Sequence, residues 1–140
     1  MSKVAVVFWS GTGNTEAMAG AVAEGAKNAG AEVESFRASE FGKDKVSGFD
    51  AIAFGCPAMG AEVLEESEFD PMFTEVESAL SGKKIALFGS YGWGDGQWMR
   101  DWEDRCTAAG AQLATDSVTA NNAPGEAELD ACKSLGSALA

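Results

Sequence analysis

The chain has 140 residues, 46% of them hydrophobic, and its 22 acidic residues against 10 basic ones leave a formal net charge of −12. That length suits one domain spanning residues 1–140, and the charge repels nucleic acid and anionic membranes, so partners with basic docking patches are expected instead. There is no histidine, which removes the commonest general base and the imidazole metal ligands, and the three cysteines, Cys56, Cys106 and Cys132, show no C-x-x-C spacing and read as free thiols.

The first apolar run, Lys3–Trp9, reads as a buried strand. It follows Met1-Ser2 directly, which leaves no room for a signal peptide, and no stretch is apolar for long enough to cross a membrane, so a cytoplasmic protein is expected. Asn14–Ala29 reads as a helix, with Met18, Val22, Ala26 and Ala29 at helical spacing. Strands are expected at Glu32–Arg37 and Ala51–Gly55. Asp70-Pro71 has the form of an N-cap followed by the first helical position, opening a helix to about Leu80 with Ser81-Gly82 as its stop. Lys84–Gly89 is a fourth strand, and Met99, Trp102, Cys106 and Ala109 mark the next helix. The i,i+4 spacing of Trp98 and Trp102 places both in the core. A fifth strand is expected within Gln112–Ala120, where alternation weakens, and Pro124 opens the last helix. Strands alternating with helices of this length predict an α/β fold, a parallel sheet with helices on both faces.

Open parallel sheets bind ligands beyond the carboxyl ends of their strands, and the unusual residues of this chain collect there. Ser10 to Thr15 joins the first strand to the first helix, where free N–H groups and the helix dipole favour an anion. The loop has no lysine, so it cannot be a G-x-x-x-x-G-K-[ST] triphosphate loop, and Glu16 stands where a dinucleotide fingerprint needs a third glycine. One terminal phosphate held by neutral donors fits what remains. The stretch CPAMGAEVLEESEFD, from Cys56 to Asp70, and GSYGWGDGQWM, from Gly89 to Met99, then bring Met59, Tyr91 and Trp93 to two neighbouring strand ends on glycine-rich backbone, which suits a flat heterocycle. A planar ring with its phosphate in the first loop describes flavin mononucleotide, FMN. The acidic run Glu62, Glu65, Glu66 and Glu68 reads as a solvated face, with Glu62 near enough to Gly60 to accept a hydrogen bond from a ring imide.

With WSGTGNTE, PAMG and its following glutamates, and LFGSYGWGDG in this order and spacing, the chain resembles the short-chain flavodoxins over essentially its full length. The resemblance implies a five-stranded parallel sheet of order 2-1-3-4-5 and one noncovalently bound FMN that carries electrons singly between redox proteins. It implies that Ser10, Gly11, Thr12, Gly13, Asn14 and Thr15 hold the phosphate. Pro57, Ala58, Met59, Gly60 and Glu62 would border the N5 and N3 side of the flavin, with Gly60 free to turn its carbonyl toward N5 on reduction. Trp93 would stack on the outer face, and Ser90, Tyr91, Gly92 and Gly94 would frame the pyrimidine end. Ala61 departs from the polar residue that relatives often carry there. Neither a catalytic residue nor a metal is expected, and the carrier is expected to be a monomer working at low potential. An FMN-dependent reductase of quinone or azo-compound type is the alternative on the same fold, against which stand the short chain and the lack of a histidine proton donor. A phospho-accepting signalling domain would need acidic residues where this chain has Trp9-Ser10 and Cys56-Pro57.

Overall fold

In the computed structural model, which describes residues 2–60 and 62–140, the elements run β1 (Lys3–Phe8), α1 (Asn14–Asn28), β2 (Glu32–Arg37), α2 (Lys43–Val46), β3 (Ala51–Gly55), α3 (Phe69–Glu77), β4 (Lys84–Tyr91), α4 (Gln97–Ala108), β5 (Gln112–Leu113), β6 (Val118–Asn121) and α5 (Glu126–Leu139). Ala61 lies outside the described residues. The strands pair in parallel in the order β2-β1-β3-β4-β5, with β6 also on β4.

Side-chain alternation builds a core on each face of the sheet. Val4, Val6 and Phe8 of β1 face α1 and α5, while Ala5 and Val7 share the opposite core with residues of α3 and α4. Central strands covered on both sides must be apolar throughout, which is why β1 and β3 read as unbroken apolar runs. On the α1/α5 side the sheet offers Ala51, Ala53 and Ala86, whereas on the α3/α4 side Phe54 meets Phe73 edge-on at 5.2 Å and Phe69 meets Trp102 at 5.4 Å. Trp98 and Trp102 are both core residues, as their spacing predicts. The two helices on the alanine side touch backbone to backbone: a Cβ on Gly25 of α1 would overlap the carbonyl of Lys133, and one on Gly136 of α5 would overlap that of Val22.

Besides the short α2, which the sequence reading lacks, and shifts of one or two residues in the bounds of β1, α1 and β4, three elements depart from that reading. The fifth strand is split. Ile85 and Phe88 stand three residues apart on β4, but their partners Leu113 and Val118 are five apart, so two extra residues bulge from the edge. Ala114 N–H still donates to Ile85 O at 2.9 Å before the chain leaves, and Ser117 turns its hydroxyl to Glu103 at 2.6 Å. This bulge is the cause of the weak alternation. The last helix starts at Glu126, two residues after Pro124, on an N-cap Gly125 whose N–H donates to Glu128 Oε1 at 2.8 Å.

Helix α3 starts at Phe69, so Asp70 is not its N-cap and Pro71 is its third residue, still within the turn where a missing N–H costs nothing. The cap comes from upstream: Glu65 Oε1 accepts the N–H of Glu68 at 2.8 Å and of Phe69 at 2.9 Å, while Oε2 accepts the N–H and hydroxyl of Ser67. Asp70 is thereby free to pair with Arg105 at 2.8 Å, and the helix gives way after Glu77 to tighter i→i−3 turns that reach Leu80. Glu65 is 5% exposed. Burial alone would raise its pKa, but the Ser67 hydroxyl and the three N–H groups outweigh it and hold the carboxyl below the usual carboxylate range. The stability this lends is present above the unfolded-state value of about 4.3 and is lost as pH falls through the lower folded value. Glu65→Gln is expected to cost about 1–2 kcal/mol at neutral pH and to flatten the fall of the urea midpoint below about pH 5, measured by pH-resolved urea unfolding.

Candidate functional site

The carboxyl ends of β1, β3 and β4 open into a cavity of about 210 Å³ lined by Trp9, Ser10, Gly11, Thr12, Asn14, Thr15, Pro57, Ala58, Met59, Ser90, Tyr91, Gly92 and Asn122. At its floor the turn into α1 passes through Gly13, the N-cap, at φ +95°, a conformation glycine takes without steric cost. Ser10 Oγ accepts the N–H of Gly13 at 3.1 Å and of Glu16 at 3.2 Å, and Thr12 Oγ1 accepts that of Asn14 at 3.5 Å. Among the described residues, no acceptor meets the N–H of Gly11, Thr12 or Thr15. The buried hydroxyls of Thr15 and Ser90 lie 3.1 Å apart, joining this floor to β4. The floor is thus a set of neutral donors at the positive end of a helix.

The second loop continues the sheet before it turns: Cys56 N–H donates to Phe88 O at 3.1 Å and Ala58 N–H to Ser90 O at 2.9 Å. Met59 and Val63 then exchange two backbone hydrogen bonds of 2.8 and 3.0 Å, closing a tight turn with Gly60 at φ +48° and Glu62 at φ +57°. The acidic run that follows is only in part a solvated face. Glu62 Oε1 accepts the N–H of Gln97 at the start of α4, at 3.2 Å; Glu65 caps α3; and Glu68 Oε1 accepts Trp9 Nε1 at 2.9 Å. Three carboxylates, each three residues after the last, pin the loop to three different parts of the fold. Only Glu66 of the run stays exposed without such a bond among the described residues.

At the end of β4, where the third loop begins, Tyr91 packs against Trp98 with ring centroids 5.4 Å apart, and its carbonyl accepts the N–H of Asn122 at 2.7 Å. Trp98 Nε1 donates to Cys56 O at 3.3 Å, tying the second and third loops together behind the cavity. Trp93 is 65% exposed, and Met59 and Val63 at 36% and 41% are the other exposed large apolar residues among those described.

Of the residues expected from the sequence, Ser10, Gly11, Thr12, Asn14, Thr15, Pro57, Ala58, Met59, Ser90, Tyr91 and Gly92 line the cavity. Gly13 shapes its floor from the N-cap position, while Gly60, Glu62, Trp93 and Gly94 lie on the two bounding loops and not among its lining residues. Trp9 and Asn122 line it outside the expected set. Trp9 is the last residue of the first apolar run, and Asn122, at φ +61°, follows the split edge strand; an aromatic and an amide at strand ends are the only sequence signals they carry. All three cysteines are free and buried, and burial pushes the thiols of Cys106 and Cys132 up to about 12 and that of Cys56 higher still, so none offers a thiolate nucleophile at neutral pH.

A family model described as Flavodoxin matches residues 6–136. The chain belongs to the flavodoxin family. Flavodoxins bind FMN noncovalently and carry electrons between redox partner proteins; they are electron carriers, not enzymes. The flavodoxin of Clostridium beijerinckii is 47% identical over 135 residues, covering 96% of this chain and 97% of that one. That of Megasphaera elsdenii is 48% identical over 137 residues, covering 98% of each. The solution structure of the two-electron reduced Megasphaera elsdenii flavodoxin superposes with a TM-score of 0.90, covering 97% of both chains. The sheet order β2-β1-β3-β4-β5 is the flavodoxin-like one that the resemblance implies, and the sixth strand on β4 is a minor addition to it. Among the described residues no helix is long and apolar enough to cross a membrane.

Proposed function

We propose that the 140-residue chain works as one domain, a monomeric cytoplasmic carrier that holds FMN above β1, β3 and β4 and delivers electrons at low potential to proteins with basic docking patches. The observation that carries the placement is the set of N–H groups on Gly11, Thr12 and Thr15 without an acceptor at the start of α1, beside a cavity with apolar walls. An orphan donor cluster on a loop that itself carries no lysine or arginine fits a single phosphate, and the residues present therefore fit FMN. Bound FMN supplies the redox chemistry, taking up and releasing electrons one at a time.

The protein's part is to bind, orient and bias. Thr15, Ser10, Thr12 and Asn14 hold the phosphate with Gly11 and Gly13, whose backbone lets it approach. Pro57, Ala58, Met59, Ser90, Tyr91 and Gly92 would line the ring, with Trp93 and Gly94 on the bounding loop. Gly60, at φ +48°, has the backbone freedom of a glycine and would be the residue able to turn a carbonyl toward the ring. Apolar walls and a net charge of −12 both oppose added negative charge on the ring, which lowers the potential. The same charge steers a basic partner, so the bimolecular electron-transfer rate with a basic acceptor protein is expected to fall about tenfold or more between about 0.01 and 0.5 M salt in stopped-flow traces; a flat profile would exclude electrostatic docking.

Fluorescence titration of the apoprotein with FMN and with riboflavin tests the reading. FMN is expected to bind one to one and far more tightly than riboflavin, because only FMN carries the phosphate. Equal affinities would remove the phosphate site.

A further inference from the structure

Trp9 stands where β1 hands over to the first loop, and its backbone is fixed there: its N–H donates to Gly55 O at 3.0 Å, extending the ladder with β3. The half-buried indole makes two contacts that the ladder does not dictate. At one end Nε1 donates to Glu68 Oε1 at 2.9 Å, across 59 positions. At the other the ring lies on the first loop, since a Cβ on Gly11 would stand 3.0 and 3.2 Å from ring atoms Cη2 and Cζ3 of Trp9. Glu68 is available for this contact because its own helix does not use it: it occupies the N-cap of α3, yet its side chain makes no cap hydrogen bond there, Glu65 having taken that part. An indole at a wet surface has several staggered rotamers open to it, and a fixed acceptor for its N–H selects one.

We propose that Glu68 is a positioning residue for the first loop: by accepting the Trp9 indole N–H it holds the ring against Gly11 and so fixes the place of a residue whose own N–H is among the unpaired donors. The carboxylate acts through the indole and touches no ligand itself. The indole contact is a property of the protein alone; its consequence for a phosphate rests on the FMN placement given above.

Heteronuclear NMR of the apoprotein reads the contact, with Trp9→Phe assigning the indole signal. Glu68 is exposed and caps nothing, so its variants are expected to keep the fold. In Glu68→Ala the Trp9 Nε1–H signal should move toward the position of the exposed Trp93, and the Gly11 α-proton signals, set by the ring beside them, should move with it, while those of Trp98 and Trp102 stay. Glu68→Gln keeps a carbonyl acceptor and should hold both signals near their wild-type positions. A Trp9 signal unchanged in Glu68→Ala overturns the contact, as does a glutamine variant no nearer to wild type than alanine; Gly11 signals that stay while the indole moves overturn its coupling to the loop. Titration with FMN and riboflavin reads the consequence. Glu68→Ala is expected to bind FMN about three- to tenfold more weakly than Glu68→Gln, as for one hydrogen bond, with riboflavin affinity unchanged. Both variants lose the same negative charge, so the difference between them isolates the acceptor. In a Trp9→Phe background the two should bind FMN alike, because no indole N–H is left to accept. Equal FMN affinities of the alanine and glutamine variants, or a difference that persists without the Trp9 N–H, overturn the positioning role, and an equal loss for riboflavin overturns its action through Gly11. Absence of FMN binding to the wild type would instead overturn the placement of the cofactor and leave the NMR result standing.

Discussion

Gly136→Ala is expected to lower the unfolding free energy by about 3 kcal/mol, while Gly20→Ala, also within a helix, raises it by about 0.5–1 kcal/mol. The substitution is chemically identical, and propensity alone favours alanine at both sites. The sign differs because of what the new methyl group meets. At Gly20 nothing lies within 4 Å. At Gly136 the Cβ would overlap Val22 O and stand 2.9 Å from Ala26 N, both backbone atoms of α1 that cannot rotate aside. Relief requires α5 to back away from α1, which opens the layer formed by Met18, Val22, Cys132 and Leu135. Urea unfolding of the apoprotein checks both variants; with a slope of about 1–3 kcal/mol/M, the Gly136 midpoint should fall by more than about 1 M. A Gly136 variant as stable as wild type would mean that the two helices have slack at their crossing. Gly25→Ala, facing the carbonyl of Lys133, should behave as Gly136→Ala does.

The second large effect is on cofactor affinity. Thr15→Val keeps the shape of the buried side chain and removes one hydroxyl, the one 3.1 Å from Ser90 Oγ. If the phosphate is held at the start of α1, the variant loses a hydrogen bond to a charged group, about 1.5–3 kcal/mol, which is about ten- to a hundredfold in FMN affinity. Riboflavin, which has no phosphate, should bind the variant and the wild type alike. That contrast separates loss of a phosphate contact from general damage to the cavity, because damage weakens both ligands. The Ser90 hydroxyl left without its partner adds about 1 kcal/mol of destabilisation, visible in the apoprotein midpoint.

Most of the scaffold was legible because its signals are local. The strands at Glu32–Arg37 and Ala51–Gly55 match residue for residue, since a buried parallel strand shows as an apolar run and an edge strand as one interrupted by charge. The first helix was legible from the helical spacing of Met18, Val22 and Ala26, and the core places of Trp98 and Trp102 from theirs. What escaped depends on contacts between segments far apart. Nothing near Asp70 announces that Glu65, reaching forward over a loop, will take over the start of α3. Nothing in a row of glutamates says that one will meet α4 and another the indole of Trp9, because those donors arrive from 35 and 59 residues away. Trp9 and Asn122 entered the cavity for the same reason: their places follow from which strands become neighbours. The split of the edge strand left only a faint trace, a loss of alternation, since a bulge removes the very pattern by which a strand is read.

The uneven filling of the two faces of the sheet determines what optical probes can see. Trp98 and Trp102 belong to the α3/α4 core, Trp9 and Tyr91 pack against that same core, and Trp93 is exposed, while the α1/α5 core holds Phe8 and Phe88 as its only aromatic rings among the described residues. Tryptophan emission and the tryptophan and tyrosine bands of near-ultraviolet dichroism therefore watch one side of the molecule, and the side where two glycines bring the helices into backbone contact is dark to them. An opening of α1 from α5 that left the other layer intact would show in far-ultraviolet dichroism and go unseen by tryptophan. Non-coincident transitions from these two signals would mark that half-opened state, and coincident ones would show that the sheet transmits the loss of one face to the other.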